Sequence, residues 1–169
     1  MNSEEVISQL CDVIGADSVI TDNKEREYFS MDVFDINEVA DLVIQPSSKD
    51  QISDALKILS KSDYEIIPRG GGMSYTGGYT PSTKRSAIID TSLLNQIIEI
   101  NPDDMYITVE AGCTWKKIYE ALKPMGLRLP FFGTNSGSMA TVGGGLSNGA
   151  LFFGTGKYGS AADNVLGKN

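Results

Sequence analysis

Apolar positions recur at helical spacing from the start of the chain. Ile7, Leu10, Cys11 and Ile14 share one face of a helix predicted over Ser3 to Ile14, with Glu4 and Glu5 in its first turn and Gly15 just past its end. Thr21 to Glu38 has little periodicity: Asn23 to Phe29 reads as a short helix and the rest as irregular chain, with Tyr28, Phe29 and Phe34 as packing residues. From Asp41 the pattern sharpens. Leu42-Val43-Ile44 is a short strand ended by Pro46, and the capping box Ser48-x-x-Gln51 opens a helix with Ile52, Ala55, Leu56 and Leu59 on one face. A strand through Ile66-Ile67 follows, so strand, helix and strand predict a parallel pair with a right-handed crossover. Further strands are expected over 86–91, Ile97 to Ile100 and Tyr106 to Ala111, with turns at Leu93-Leu94-Asn95 and Asn101-Pro102-Asp103-Asp104. Short connections favour antiparallel pairing, which makes the sheet mixed. Thr114 caps a third helix, with Trp115, Ile118, Tyr119 and Leu122 inward and Pro124 and Gly126 at its end.

Between the strands at Ile67 and Ser86 lies Pro68-Arg69-Gly70-Gly71-Gly72-Met73-Ser74-Tyr75-Thr76-Gly77-Gly78, with five glycines in eleven residues. Glycine permits positive φ and lets a ligand approach the backbone without a Cβ in the way. Successive N–H groups in such a loop can form an anion-binding nest, to which Arg69 and the hydroxyls of Ser74 and Thr76 would add donors. Its place at a strand end is where open α/β sheets bind ligands. A bound pyrophosphate is the functional reading, and a flexible surface loop is the competing one.

Composition changes the picture in two ways. The net charge of −8 counts against a nucleic-acid or anionic-membrane binder, yet up to Glu65 there are 15 acids and 5 bases, and from Ile66 onward 7 acids and 9 bases. Seventeen of the 18 glycines lie after Arg69, so the glycine-rich part is the slightly basic part, which suits an anionic ligand. No run approaches the roughly eighteen apolar residues of a membrane helix and the amino terminus is acidic, so a soluble, cytoplasmic protein without membrane insertion is expected. Cys11 and Cys113 lack metal-ligand spacing and read as reduced packing residues; no metal site is predicted.

A second glycine cluster holds ten glycines between Gly133 and Gly167. Two segments that both admit close approach suggest one long ligand across them. Gly154-x-Gly156-x-x-Gly159 matches the dinucleotide fingerprint formally but lacks its strand, its helix and its distant acid, and Gly156-Lys157 lacks the flanking residues of a Walker loop. Neither a Rossmann site nor an NTPase is expected.

The run Pro68 to Gly78 resembles the pyrophosphate loop of the FAD-linked oxidases of the vanillyl-alcohol oxidase and p-cresol methylhydroxylase type. Ile88-Ile89-Asp90-Thr91-Ser92-Leu93-Leu94-Asn95, Thr108-Val109-Glu110-Ala111-Gly112, Thr141-Val142-Gly143-Gly144, Tyr158-Gly159 and Asp163-Asn164-Val165-Leu166-Gly167 are similar to that family's later landmarks, so the resemblance runs from about Ala40 to Gly167. It implies an α+β fold of the p-cresol methylhydroxylase type, with a first subdomain of mixed sheet and flanking helices and a truncated second subdomain. The implied division is a helical extension over 1–40 and an FAD-binding domain over 41–169, incomplete at its carboxy end. FAD would have its ADP half in a cleft between the subdomains and its ring toward a separate substrate domain. Carried over by position, Arg69, Gly70, Gly71, Gly72, Met73 and Ser74 would hold the pyrophosphate, and Ser138, Thr141, Val142, Gly143, Gly144, Asn148 and Gly149 would line the rest of the cofactor.

Two departures bear on function. Family members with covalent flavin often carry histidine where this chain has Met73, and the chain has no histidine, so a histidyl link is excluded and FAD is expected to be non-covalent. The family's chain also continues beyond the Leu166-Gly167 region, so this one looks like a piece of a longer protein. The implied function is the FAD-binding portion of an alcohol or 2-hydroxy acid oxidase or dehydrogenase that transfers hydride to flavin. The rival is a non-catalytic or degenerate flavin module that needs a partner chain for the missing substrate domain. No catalytic residue is assigned; Tyr75, Tyr79 and Arg128 are the polar candidates near the loops, each with a structural alternative. Leu129-Pro130-Phe131-Phe132 and Phe152-Phe153 read equally as exposed patches or as core.

Overall fold

Four short strands meet in one sheet before Leu94: β1 (Val19–Ile20), β2 (Leu42–Ile44), β3 (Glu65–Arg69) and β4 (Ser86–Asp90), in the order β1-β2-β4-β3. The computed structural model describes residues 2–34, 37–130 and 136–167, which separate into one unit up to Leu94 and another from Asn95. In the first unit β2, β4 and β3 run parallel, and β1 pairs antiparallel with β2.

The pleat decides which core each strand side chain joins. Leu42, Ile44, Ala87 and Ile89 point to one face, where helix α1 (Ser3–Ile14) brings Val6, Leu10 and Ile14, and a later helix, Lys49–Leu59, brings Ala55 and Leu59. Val43, Ile88 and Ile67 point to the other, where they meet Ala40, Tyr79 and Phe29 of helix α2 (Asn23–Ser30). All of β4 is buried, as a central strand covered on both faces must be. The helix Lys49–Leu59 is α3.

Caps follow local chemistry. Asn2 and Glu5 form a reciprocal box at the start of α1, and Asp22 caps α2 by accepting from Lys24 and Glu25 N–H. At α3 the Ser48 hydroxyl accepts from Gln51 N–H at 3.2 Å, but the Gln51 carbonyl returns to Ser47 N–H at 2.8 Å rather than to Ser48.

The second unit holds a separate antiparallel pair, β5 (Ile97–Asn101) and β6 (Tyr106–Val109), with a register shift between Ile97 and Glu99. Helix α4 (Trp115–Leu122) is capped by Thr114 and ends at Gly126, which is left-handed with φ 71°. Cys113, Ile118 and Leu122 pack with the inner side chains of β5 and β6. Trp115 packs with Ala161, Leu146 and Phe152, so the single tryptophan is a core residue. Short helices α5 (Val142–Ser147) and α6 (Thr155–Tyr158) complete the unit.

Several expectations need correction. β2 and β3 are parallel but not neighbours, because β4 lies between them; Pro68 has no N–H to offer a further strand, which fits β3 to the edge. The four-stranded sheet is mixed because of β1, whose two β-branched residues are too few to show an alternating pattern. Val6 is fully buried in α1, whereas Ile7 and Cys11 are only partly so. Leu56 and Tyr119 face outward, one step around their helices from the buried stripe; Lys123 covers the Tyr119 ring. Phe152 is core and Phe153 exposed, while Phe131, Phe132 and Gly133 lie outside the described residues.

Tyr64 ties α1 to the sheet: its hydroxyl bonds Asp41 and reaches Ser3 Oγ at 3.0 Å. Burial, and then the hydrogen bond to Asp41, push its phenol above the ordinary tyrosine value. A raised folded-state pKa means that this contribution is whole below about pH 10 and is lost as pH rises through the folded value. Stability followed by urea unfolding is therefore expected to fall above about pH 10, and Tyr64→Phe to make that alkaline fall shallower; an identical alkaline profile in the variant would contradict it.

Candidate functional site

The carboxyl ends of β2, β3 and β4 converge on a buried polar network. Arg69 ends β3 and pairs in register with Asp90 at the end of β4. Its Nη1 donates to Asp90 Oδ1 at 3.1 Å, both side chains being less than a tenth exposed. Asp90 Oδ2 accepts from Gln45 Nε2 at 2.9 Å, just after β2, and from the Ser92 hydroxyl. The Arg69 carbonyl accepts from Thr91 N–H at 2.9 Å and from its hydroxyl at 3.1 Å. The guanidinium also lies against the rings of Phe29, Tyr79 and Tyr28, at 4.9, 5.4 and 5.5 Å from their centroids. Arg69, expected to offer its charge to an anion, is therefore turned inward beneath the loop, because Asp90 and three aromatic faces hold it there.

Above it runs the loop from Gly70. Gly72 is left-handed, with φ +66°, and a Cβ there would lie 2.8 Å from Arg69 Cζ and closer still to Nη2. Gly71 is not left-handed. Among the described residues, the N–H groups of Gly70, Gly71, Gly72, Met73, Ser74 and Tyr75 donate to no protein acceptor. The first two N–H groups spoken for are those of Thr76, to Ser74 Oγ at 3.3 Å, and Gly77, to Asp32 Oδ2 at 2.9 Å. Ser74 and Thr76 hydroxyls bond each other at 3.0 Å. Gly70 to Ser74 are half-buried, so consecutive unsatisfied donors sit at a strand end without full access to water.

Residues before β2 brace this loop, and sequence reasoning passed over them. Asp32 is buried and also accepts from Phe34 N–H at 2.8 Å; Val33 N–H reaches the Ser74 carbonyl at 3.3 Å. The Tyr79 hydroxyl lies 2.9 Å from the Gly72 carbonyl and 3.1 Å from that of Met31. Burial, only partly opposed by the Arg69 charge and helped by the Asp32 carboxylate, leaves the Tyr79 phenol above its ordinary value.

In the second unit the glycines serve close packing. Thr141 caps α5 and is buried, its hydroxyl accepting from Gly144 N–H at 3.3 Å. Val142 N–H donates to the Cys113 carbonyl and Gly143 N–H to that of Ala111. A Cβ on Gly143 would stand 2.9 Å from the Ala111 carbonyl, and one on Gly145 3.1 Å from the Trp115 ring. The expected second-unit ligands Val142, Gly143 and Gly144 thus have their N–H groups engaged within the protein, while Ser138, Asn148 and Gly149 are exposed. The motif at Gly154 to Gly159 closes on itself: Ser160 N–H and hydroxyl both donate to Asp163, and Asn164 to the Tyr158 and Ser160 carbonyls. Tyr75 and Arg128 are exposed and Tyr79 is structural. Cys113 is buried, which raises its thiol pKa, and Cys11 sits half-buried in α1. Among the described residues no cluster of three or more His, Cys, Asp or Glu could hold a metal, and no helix is long and apolar enough to cross a membrane.

Comparison with known proteins bears on this arrangement. The family described as FAD binding domain matches residues 40–168. The Arabidopsis thaliana mitochondrial D-lactate dehydrogenase [cytochrome] is 31% identical over 96% of this chain, and the Bacillus subtilis glycolate oxidase subunit GlcD is 31% identical over 99%. The chain spans only 28% and 35% of the length of these relatives. The structure of p-cresol methylhydroxylase with substrate bound superposes with a TM-score of 0.77 at 18% identity, over 88% of this chain and 30% of that one, a likeness of fold.

Adding a methyl group at Gly72 combines a strained φ with a clash against a buried guanidinium. Gly72→Ala is expected to destabilise the chain by about 1–3 kcal/mol, read as a lower urea midpoint at unchanged slope. Wild-type stability in this variant would mean that the Arg69 cage yields freely.

Proposed function

The chain belongs to the FAD binding domain family, with FAD as its cofactor, and we propose that the pyrophosphate of that FAD is received by the backbone N–H groups of Gly70 to Tyr75. The observation that carries this reading is the run of consecutive N–H groups at the end of β3 that donate to no protein acceptor. Such donors suit a pyrophosphate: they are consecutive, they sit at a strand end, and glycine leaves them open to close approach. Arg69 lies beneath them as support and as a buried positive charge. Ser74 and Thr76 hydroxyls, which now bond each other, are within the same loop and can turn toward an anion.

In the second unit Ser138, Asn148 and Gly149 are exposed polar or open positions that could contact a ligand, and Thr141 to Gly144 serve as the scaffold beside them. We take the flavin domain to begin at 41, with residues 1–40 ahead of it contributing α1, α2 and strand β1 to the same sheet and its cores.

When bound, flavin supplies a two-electron acceptor for hydride. This chain's part is to hold and orient it and to exclude water from the pyrophosphate; the base and the substrate pocket belong to the remainder of the protein, in the same chain or a separate one. Both curated relatives act, by their names, on 2-hydroxy acids, D-lactate and glycolate, and we take a 2-hydroxy acid as the substrate class of the complete protein.

This chain is expected to hold FAD without a covalent bond of its own, since it has no histidine and neither cysteine lies in a glycine loop. The purified chain is expected to bind FAD with quenching of flavin fluorescence, to bind riboflavin far more weakly because it lacks the pyrophosphate, and to release all flavin on acid precipitation. Equal affinity for FAD and riboflavin would overturn the pyrophosphate assignment, and colour retained in the pellet would overturn the non-covalent one.

A further inference from the structure

The segment from Tyr28 to Phe34 precedes the residues matched by the family, yet its bonds converge on the glycine loop. Asp32 Oδ2 accepts from Gly77 N–H at 2.9 Å, Val33 N–H donates to the Ser74 carbonyl at 3.3 Å, and the Met31 carbonyl shares the Tyr79 hydroxyl with the Gly72 carbonyl. The Phe34 and Tyr75 rings meet edge to face at 6.1 Å. On the loop's inner side, Tyr28 and Phe29 close two walls of the Arg69 cage. Both ends of the loop and its two left-handed glycines, Gly72 and Gly77, are therefore held from one short segment.

We propose that Asp32, with the aromatic pair Tyr28 and Phe29, positions the glycine loop for the pyrophosphate of FAD, so that the part of the chain ahead of the family match belongs to the binding machinery without touching the ligand. The proposal rests on the assignment of this loop to the pyrophosphate. A glycine-rich loop has more conformational freedom to lose than any other, and a site ordered in advance does not meet that cost when the ligand arrives. Asp32 is suited to the task because both oxygens are committed, Oδ1 to Phe34 N–H and Oδ2 to Gly77 N–H, so it fixes the distance between its own segment and the loop.

The sign of the effect separates this role from mere proximity. A carboxylate that simply lay near a bound pyrophosphate would repel it, and neutralising it would tighten binding. A positioning carboxylate gives the opposite result. Asp32→Asn keeps the size of the side chain but leaves a single acceptor oxygen for the two N–H groups of Phe34 and Gly77 and sets an NH2 group against the other donor, so the fixed span between segment and loop is lost.

The test is FAD affinity by flavin fluorescence quenching in the intact chain, set beside the melting temperature without flavin. Tyr64→Phe serves as benchmark, because it weakens the Asp41 contact on the opposite face of the same sheet and touches nothing in the loop. Asp32→Asn is expected to weaken FAD binding about tenfold or more at a temperature where the chain is folded, whereas Tyr64→Phe should lower the melting temperature and leave the affinity alone. Should Asp32→Asn not fold, Tyr79→Phe removes the hydroxyl shared by Met31 and Gly72 while keeping the ring, and severalfold weaker binding is expected. Wild-type or tighter FAD binding by these folded variants overturns the positioning role and leaves the loop assignment standing. Failure of the wild-type chain to bind FAD overturns the assignment and the positioning role together.

Discussion

A guanidinium and a carboxylate, both shut away from water at the ends of adjacent parallel strands, set the terms for the rest of this structure. Taking two charges out of water is expensive, and such a pair holds only when its geometry is good and its remaining donors and acceptors are satisfied. Here the carboxylate of Asp90 is completed by Gln45 and Ser92, so residues that follow or end β2, β3 and β4 are tied to one acceptor group. Removing either partner would leave a buried charge alone, at a cost of about 3–5 kcal/mol. The glycine loop rises directly from this knot, and its first residues inherit their direction from it.

The two glycine clusters look alike in composition and differ in physics. In the first, the missing side chains leave backbone donors uncovered and let one residue adopt a positive φ above a buried cation. In the second, they let α5 press against the turn at Ala111 and the ring of Trp115, and the N–H groups of Val142, Gly143 and Gly144 are spent on two carbonyls and the Thr141 hydroxyl. Counting glycines could not separate these causes, because what distinguishes them is where each N–H goes.

Much of the local structure was legible. The helix over Ser3 to Ile14, the cap at Ser48, the end at Gly126 and the core position of Trp115 follow from spacing and from residues close in the chain. Strand order was not, since the placement of β4 between β2 and β3 depends on pairings between distant segments. The same limit hid the true partner of Arg69: Asp90 stands twenty-one positions away and becomes a neighbour only through sheet register. The glycine run was read correctly as a loop at a strand end, but the bracing by Asp32 was missed because Thr21 to Glu38 lacks periodicity, and periodicity reports burial against a regular face rather than bonds to a loop.

One feature of the second unit bears on how the chain breathes. Helix α5 spans six residues, three of them consecutive glycines, and each glycine costs about 0.8–1.0 kcal/mol in a helix relative to alanine. Nothing intrinsic keeps so short and so poor a helix wound; it persists through its contacts with Ala111, Trp115 and Phe152. Its amides therefore belong to the low end of the range of local opening free energies, far below those of the wholly buried β4, and the glycine helix is the place where solvent hydrogen would first reach the backbone of a regular element.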